Sequence, residues 1–173
     1  RELGLPVGFD TDVNGAALAE SRWGVGQNQR ACVYVTIGTG IGGGAIIDGK
    51  PLHGLSHPEM GHIRPQRHPD DMGFAGICPF HGDCLEGLAS GPAIKARWGA
   101  SLSELPADHP GHEVIAWYLA QMAVTLQSII EPGRIILGGG VTGTPGLIQR
   151  VKRHAAELGK GYFRGNADAI IVP

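Results

Sequence analysis

At 173 residues the chain is long enough for one ordinary domain with a real core. A formal charge of -2 with no basic block excludes an electrostatic case for nucleic acid or a membrane surface, and no apolar run reaches the roughly 18 residues of a membrane span. Three cysteines are too few, and odd in number, for a disulfide framework, which points to metal binding or reduced thiols in a cytoplasmic protein; residues 1–14 lack a secretory-signal pattern.

Residues 14–23 read as a short helix, with Ala16, Ala17, Leu18 and Ala19 as good formers and Asp12 and Asn14 at its capping edge. Residues 31–37 are β-branched and aromatic and read as a buried strand; 44–47 form a second, closed by the turn signal Asp48-Gly49. Residues 51–84 are rich in His, Pro, Gly and Asp and have no period, which is unusual in a compact domain unless the stretch is functional or pinned by a metal. Residues 85–98 begin as a helix punctuated by Ser90-Gly91-Pro92. Residues 113–130 form the longest helix, about five turns, with Val114, Ile115, Leu119, Met122 and Leu126 at core spacing. Glu131-Pro132-Gly133 stops it; 134–137 is a short buried strand, 145–158 an amphipathic helix and 167–172 a last strand. Alternating strands and helices predict an α/β domain.

The 29 glycines are well above the average share of about 7%. They cluster at Gly38–Gly44 and Gly138–Gly140, each directly after a strand-like run, as expected where backbone approaches a ligand closely. Cys78-Pro79-Phe80-His81-Gly82-Asp83-Cys84 sets three donors at the spacing of a closed tetrahedral zinc site. The fourth ligand is best supplied by His62, upstream in Glu59-Met60-Gly61-His62, with His53, His57 and His68 as competitors. Four protein ligands leave no open position, so the zinc is expected to be structural and to organise a loop of about 53–86. Cys32 lies inside a strand pattern and reads as core.

Four motifs occur in order: Asp12-Val13-Asn14-Gly15-Ala16-Ala17-Leu18-Ala19-Glu20, Gly38-Thr39-Gly40-Ile41-Gly42-Gly43-Gly44, Glu59-Met60-Gly61-His62 and Cys84-Leu85-Glu86-Gly87-Leu88-Ala89-Ser90-Gly91-Pro92. Together they resemble the ROK family of sugar kinases and repressors. The His57-Pro58-Glu59 lead-in and the Cys78-x2-His81-x2-Cys84 knuckle resemble its bacterial fructokinase branch. The resemblance implies an actin-like ATPase (ribonuclease H-like) lobe with an inserted zinc loop. Residues 1–173 would be the second, C-terminal lobe and hinge, both ends lying inside a longer chain, because the Asp-x-Gly-Gly-Thr phosphate loop of the first lobe is not in the sequence.

The same resemblance implies ATP-dependent phosphorylation of a hexose, fructose to fructose 6-phosphate in the first instance, with Mg²⁺ on the ATP and a homodimeric assembly. Asp12 matches the catalytic aspartate, which would accept the hydroxyl proton; by position alone it is a helix-capping residue. Asn14, Glu59, His62 and Glu86 match sugar contacts, His62 serving metal and sugar pocket together. Thr39 and Gly40 match a phosphate cradle, and Pro92, Gly138, Gly139, Gly140 and Val141 the adenosine side. Thr11 stands where the family usually has Asn. The fragment alone is expected to be inactive. Two other readings are a non-catalytic, zinc-stabilised sugar-binding or dimerising module as in ROK repressors, and a zinc hydrolase with an open metal position.

Overall fold

The structure is a computed structural model that describes residues 4–5 and 7–173. Helix α1 (Asp12–Trp23) is capped by Thr11, whose side chain accepts the Asn14 amide. The cap lies earlier than expected, and Asp12 is thereby the first helical residue, free of the capping role. β1 (Ala31–Ile37) and β2 (Ile41–Ile47) pair antiparallel around the loop Gly38-Thr39-Gly40, and β3 (Lys50–Pro51) continues the meander. Loop 52–84 follows, with single 3-10 turns at Met60–His62 and Pro69–Asp71.

The helical stretch 85–98 breaks at Ser90-Gly91-Pro92, as expected, into two helices. Ser90 ends α2 (Leu85–Ala89) and caps α3 (Gly91–Trp98) by accepting the Ala93 amide. α4 (Gly111–Ile129) starts two residues before the predicted boundary. β4 (Arg134–Gly138), α5 (Leu147–Gly159), α6 (Ala167–Ile170) and β5 (Ile171–Val172) complete the chain. Only the last two residues of the predicted strand 167–172 extend, because Asn166 accepts the Asp168 amide and caps a helical turn first.

The sheet runs β3-β2-β1-β4-β5, antiparallel on one side of β1 and parallel on the other. Along β1 the faces alternate. Val33, Val35 and Ile37 meet the main core with α4, where Ile115, Leu119 and Met122 are fully buried, whereas Cys32 joins Ala17 of α1 on the opposite face. The α/β expectation and the core assignments of α4 and Cys32 hold. Among the described residues no helix is long and apolar enough to cross a membrane.

Gly42–Gly44 lie inside β2 rather than in a ligand loop. A Cβ at Gly44 would stand 2.5 Å from Val13 O and one at Gly43 2.5 Å from Met60 Sδ, so these glycines admit α1 and the Met60 turn, while Gly42 and Gly43 also line the cleft at the end of the sheet. That close approach brings the start of α1 against the sheet.

Loop 52–84 is also held by a buried charge cluster that sequence reasoning missed. Arg97 Nε stands 2.9 Å from Asp71 Oδ1 with both side chains under a tenth exposed, and Tyr118 Oη donates to Asp71 Oδ2 at 2.7 Å. Arg67 donates to the Asp71 and Phe74 carbonyls. Arg97→Ala would leave Asp71 buried without its nearest counter-charge, so it should destabilise the folded chain by about 3–5 kcal/mol. A urea titration reads this as an earlier midpoint, with Arg97→Lys losing less.

Candidate active site and metal centre

The cleft of interest opens where the parallel pair β1–β4 ends, outside the carboxyl ends of the strands, where open α/β sheets place their ligands. It measures about 490 Å³. Asp12 reaches it from the first turn of α1; Thr39 and Gly40 from the β1–β2 loop; Glu59 from the 3-10 turn; Glu86 from α2; Gly139 and Gly140 from the end of β4. These seven sequence-predicted residues come from five segments and line one space.

Their geometry separates their possible roles. Asp12 is exposed and accepts only the Val13 amide, at 2.9 Å. Glu86 is anchored: its Oε2 accepts the Ile41 amide at 2.9 Å, which fixes the carboxylate to the first residue of β2. Among the described residues the amides of Thr39 and Gly40 have no acceptor, whereas Gly38 bonds both ways, its N–H to Gly40 O and its carbonyl to Gly91 N. Both residues line a cleft that, among the described residues, contains carboxylates but no Lys or Arg. His57 also lines it, its Nε2 2.9 Å from Glu59 Oε1. Sequence reasoning treated His57 only as a competing metal ligand; the signal was its place in His57-Pro58-Glu59.

Asn14, Pro92, Gly138 and Val141 lie outside this cleft. Asn14 is 2% exposed and donates to Asp10 Oδ1 at 2.7 Å, so it serves the turn before α1. Pro92 is exposed in the first turn of α3. Gly138 faces Tyr34, whose Oη would lie 2.3 Å from a Cβ there, and the Val141 amide donates to Ile37 O while its side chain is buried.

Next to the cleft, His62, Cys78, His81 and Cys84 bring their donor atoms within 4.8 Å of one another. His62 Nδ1 lies 3.4 Å from Cys84 Sγ, 3.8 Å from Cys78 Sγ and 3.3 Å from His81 Nδ1, and Cys78 Sγ lies 3.7 Å from His81 Nδ1. Tetrahedral zinc with bonds of about 2.0–2.3 Å spaces its ligand atoms about 3.3–3.8 Å apart, so the set fits that ion. Burial pushes the Cys78 thiol up, but the backbone N–H groups of Phe80 and His81 outweigh it and hold it below its usual value. The competing histidines are engaged elsewhere: His53 with Asp10, His57 with Glu59, and His68 Nδ1 with the Asp70 amide. The outward nitrogen of His62, Nε2, lies 3.9 Å from Glu59 Oε2, so one histidine touches both the metal set and the cleft wall.

A second crevice, about 320 Å³, lies at the other end of β4 among Val124, Ile135, Phe163 and Ile170, and no charged side chain lines it. It offers no chemistry comparable to the cleft.

The ROK family description matches residues 1–173. The fructokinase of Zymomonas mobilis is 57% identical over 173 residues, covering 98% of this chain and 58% of that protein. Two solved structures superpose well. They are the ROK hexokinase from Thermus thermophilus (TM-score 0.79, 26% identity, 98% of this chain and 59% of that one) and a ROK family glucokinase from Streptomyces griseus in complex with glucose and AMPPNP (TM-score 0.72, 27% identity, 99% and 64%). The chain thus spans about three fifths of the length of these relatives.

Proposed function

This chain belongs to the ROK family, and on that premise we propose that it is the second lobe and hinge of a hexose kinase that transfers a phosphoryl group from ATP to a sugar hydroxyl. Its fold is the mixed α/β fold of ROK kinases, within the actin-like ATPases. Fructose is the proposed substrate, on the strength of the fructokinase relative. Assembly as a cytoplasmic homodimer belongs to the same reading.

The observation that carries it is the cleft itself. Three carboxylates from separate segments, Asp12, Glu59 and Glu86, line one space with Thr39 and Gly40, whose amides have no acceptor among the described residues. In-line phosphoryl transfer needs positioning and charge stabilisation more than covalent chemistry. Asp12 takes the hydroxyl proton. Glu59 and the free oxygen of Glu86 accept hydrogen bonds from other hydroxyls of the sugar. The Thr39 and Gly40 amides, with the backbone of Gly139 and Gly140 opposite, hold phosphate oxygens. Since no Lys or Arg lines the cleft among the described residues, Mg²⁺ on the nucleotide would offset the phosphate charge. Zinc, held by His62, Cys78, His81 and Cys84, would supply structure: it fixes the base of α2, which carries Glu86, and orients His62 towards Glu59.

The test is a coupled kinase assay on the complete polypeptide that contains this chain, with fructose, glucose and mannose. Turnover with fructose, at a kcat/KM above that for the other two sugars, is the expected result. No turnover with any of them refutes the reading.

A further inference from the structure

His53 lies outside the cleft and outside the metal set, yet its ring reaches the turn in front of α1. Its Nε2 is 3.2 Å from Asp10 Oδ1, 3.1 Å from Asp10 Oδ2 and 3.3 Å from Asn14 Nδ2. Asn14 Nδ2 itself donates to Asp10 Oδ1 at 2.7 Å, and the Thr11 amide does so at 2.8 Å. Facing two carboxylate oxygens, Nε2 must carry a proton, since a bare lone pair there would oppose the carboxylate charge. Three donors thus converge on one carboxylate. The bonds from Asn14, His53 and Thr11, in that order, bring the Asp10 carboxyl down to about 2.

The two sides of this junction carry different parts of the cleft. Asp10 and Asn14 bracket Asp12. His53 begins the segment that leads to His57 and Glu59. Among the described residues, the only other hydrogen bonds within 53–58 are local, Gly54 N–H to Ser56 O and His57 to Glu59. Leu55 is fully exposed; the apolar anchors lie at the two ends of the segment, Leu52 and Met60, which pack on the main core, and the Leu52 amide donates to Ala45 O. Among the described residues the His53 ring is therefore the hydrogen-bonded tie between the stretch inside those anchors and the turn in front of α1.

We propose that His53 is a positioning residue: by clamping Asp10 it fixes the loop bearing His57 and Glu59 against the turn bearing Asp12, and so sets how the sugar is held relative to its base. This rests on the kinase reading above. The nucleotide cradle at Thr39, Gly40, Gly139 and Gly140 sits on other segments and makes no bond to the clamp.

The test uses the complete protein with His53→Leu, which removes the donor, and His53→Gln, whose amide can restore it. His53→Leu should raise the KM for hexose about tenfold and lower kcat, because a reacting group displaced by an ångström loses rate steeply, while the KM for ATP stays within about twofold. His53→Gln should recover most of the loss. Hydrogen exchange on the unliganded protein should show faster amide exchange over residues 53–58 in His53→Leu only. Unchanged hexose kinetics in His53→Leu, or an equal rise in both KM values, overturns the proposal. If the wild-type protein turns over no hexose, the kinase reading and the positioning role fall together, and unchanged exchange in His53→Leu would remove the clamp as well.

Discussion

Replacing Gly61 by alanine should strip the protein of zinc. Gly61 is the middle residue of the 3-10 turn Met60–His62, pressed flat against the first residue of β2. A Cβ at this position would lie 1.8 Å from Ile41 O and 2.7 Å from Ile41 C. Both are backbone atoms of Ile41, which pairs with Ile37 of β1 and whose amide is held by Glu86, so neither can rotate away. The turn must therefore lift by more than an ångström to reach ordinary contact. His62 is the next residue, and its Nδ1 sits at tetrahedral spacing from His81 Nδ1 and Cys84 Sγ, at 3.3 and 3.4 Å. Ligand distances in such sites tolerate about 0.2 Å, so the lift removes one ligand of four. Metal affinity should fall by at least about 10–100-fold, the range seen when merely the supporting contacts of a ligand are lost. Emission spectroscopy of the purified variant against wild type gives the zinc-to-protein ratio, and limited proteolysis reports whether loop 52–84 has loosened. A variant that retained zinc at the wild-type ratio would show that Gly61 does not hold His62 in the ligand set.

That prediction joins two features read separately from the sequence, and their fates differ. The Cys/His cluster was legible because Cys78, His81 and Cys84 are close in the chain: Cys78 and Gly82 exchange backbone hydrogen bonds, so the knuckle is a local structure with a local spacing code. Of the four candidate histidines the structure brings His62 to that cluster, and the three others are engaged by carboxylates or by the Asp70 amide. The glycine run serves two ends at once. Composition cannot tell whether the neighbour a glycine admits is a ligand, a helix or both. Gly38, Thr39, Gly40, Gly42 and Gly43 line the cleft as expected, and Gly43 and Gly44 also admit Met60 and Val13, which the sequence did not signal. The break at Ser90 was legible in Ser90-Gly91-Pro92, and the structure places it there; the capping Thr11 also had a signal, a hydroxyl just before helical residues, but Asp12 and Asn14 obscured it. The Asp71–Arg97–Tyr118 cluster had none: its members are far apart in the chain and meet only through the packing of α3, α4 and the loop.

Asp12→Asn should lower kcat of the complete protein by about 10²–10⁴-fold with little change in the KM for hexose or ATP, the span expected when a general base is lost. The position of the residue makes the substitution clean. Thr11, not Asp12, caps α1, so removing the charge leaves the cap in place. Asp12 is exposed, accepts only the Val13 amide, and an asparagine carbonyl can keep that bond. What asparagine cannot do is accept a proton from the attacking hydroxyl. A helix-capping or purely structural Asp12 would produce a shift in the thermal midpoint and spare kcat; a base would produce the reverse. Steady-state kinetics with fructose and a thermal melt on the same preparation separate the two outcomes. The size of the fall also weighs the components of the cleft. If the Thr39 and Gly40 amides and the two glutamates supply most of the rate by holding phosphate and sugar in line, the loss will sit near the lower end of that range, since phosphoryl transfer with a loose transition state asks little of a base until the hydroxyl is already bonding. A loss near the upper end would place the proton transfer within the rate-limiting step. Full retention of kcat would remove Asp12 from the chemistry and turn attention to the His57–Glu59 pair and the second oxygen of Glu86, whose first is held by the Ile41 amide.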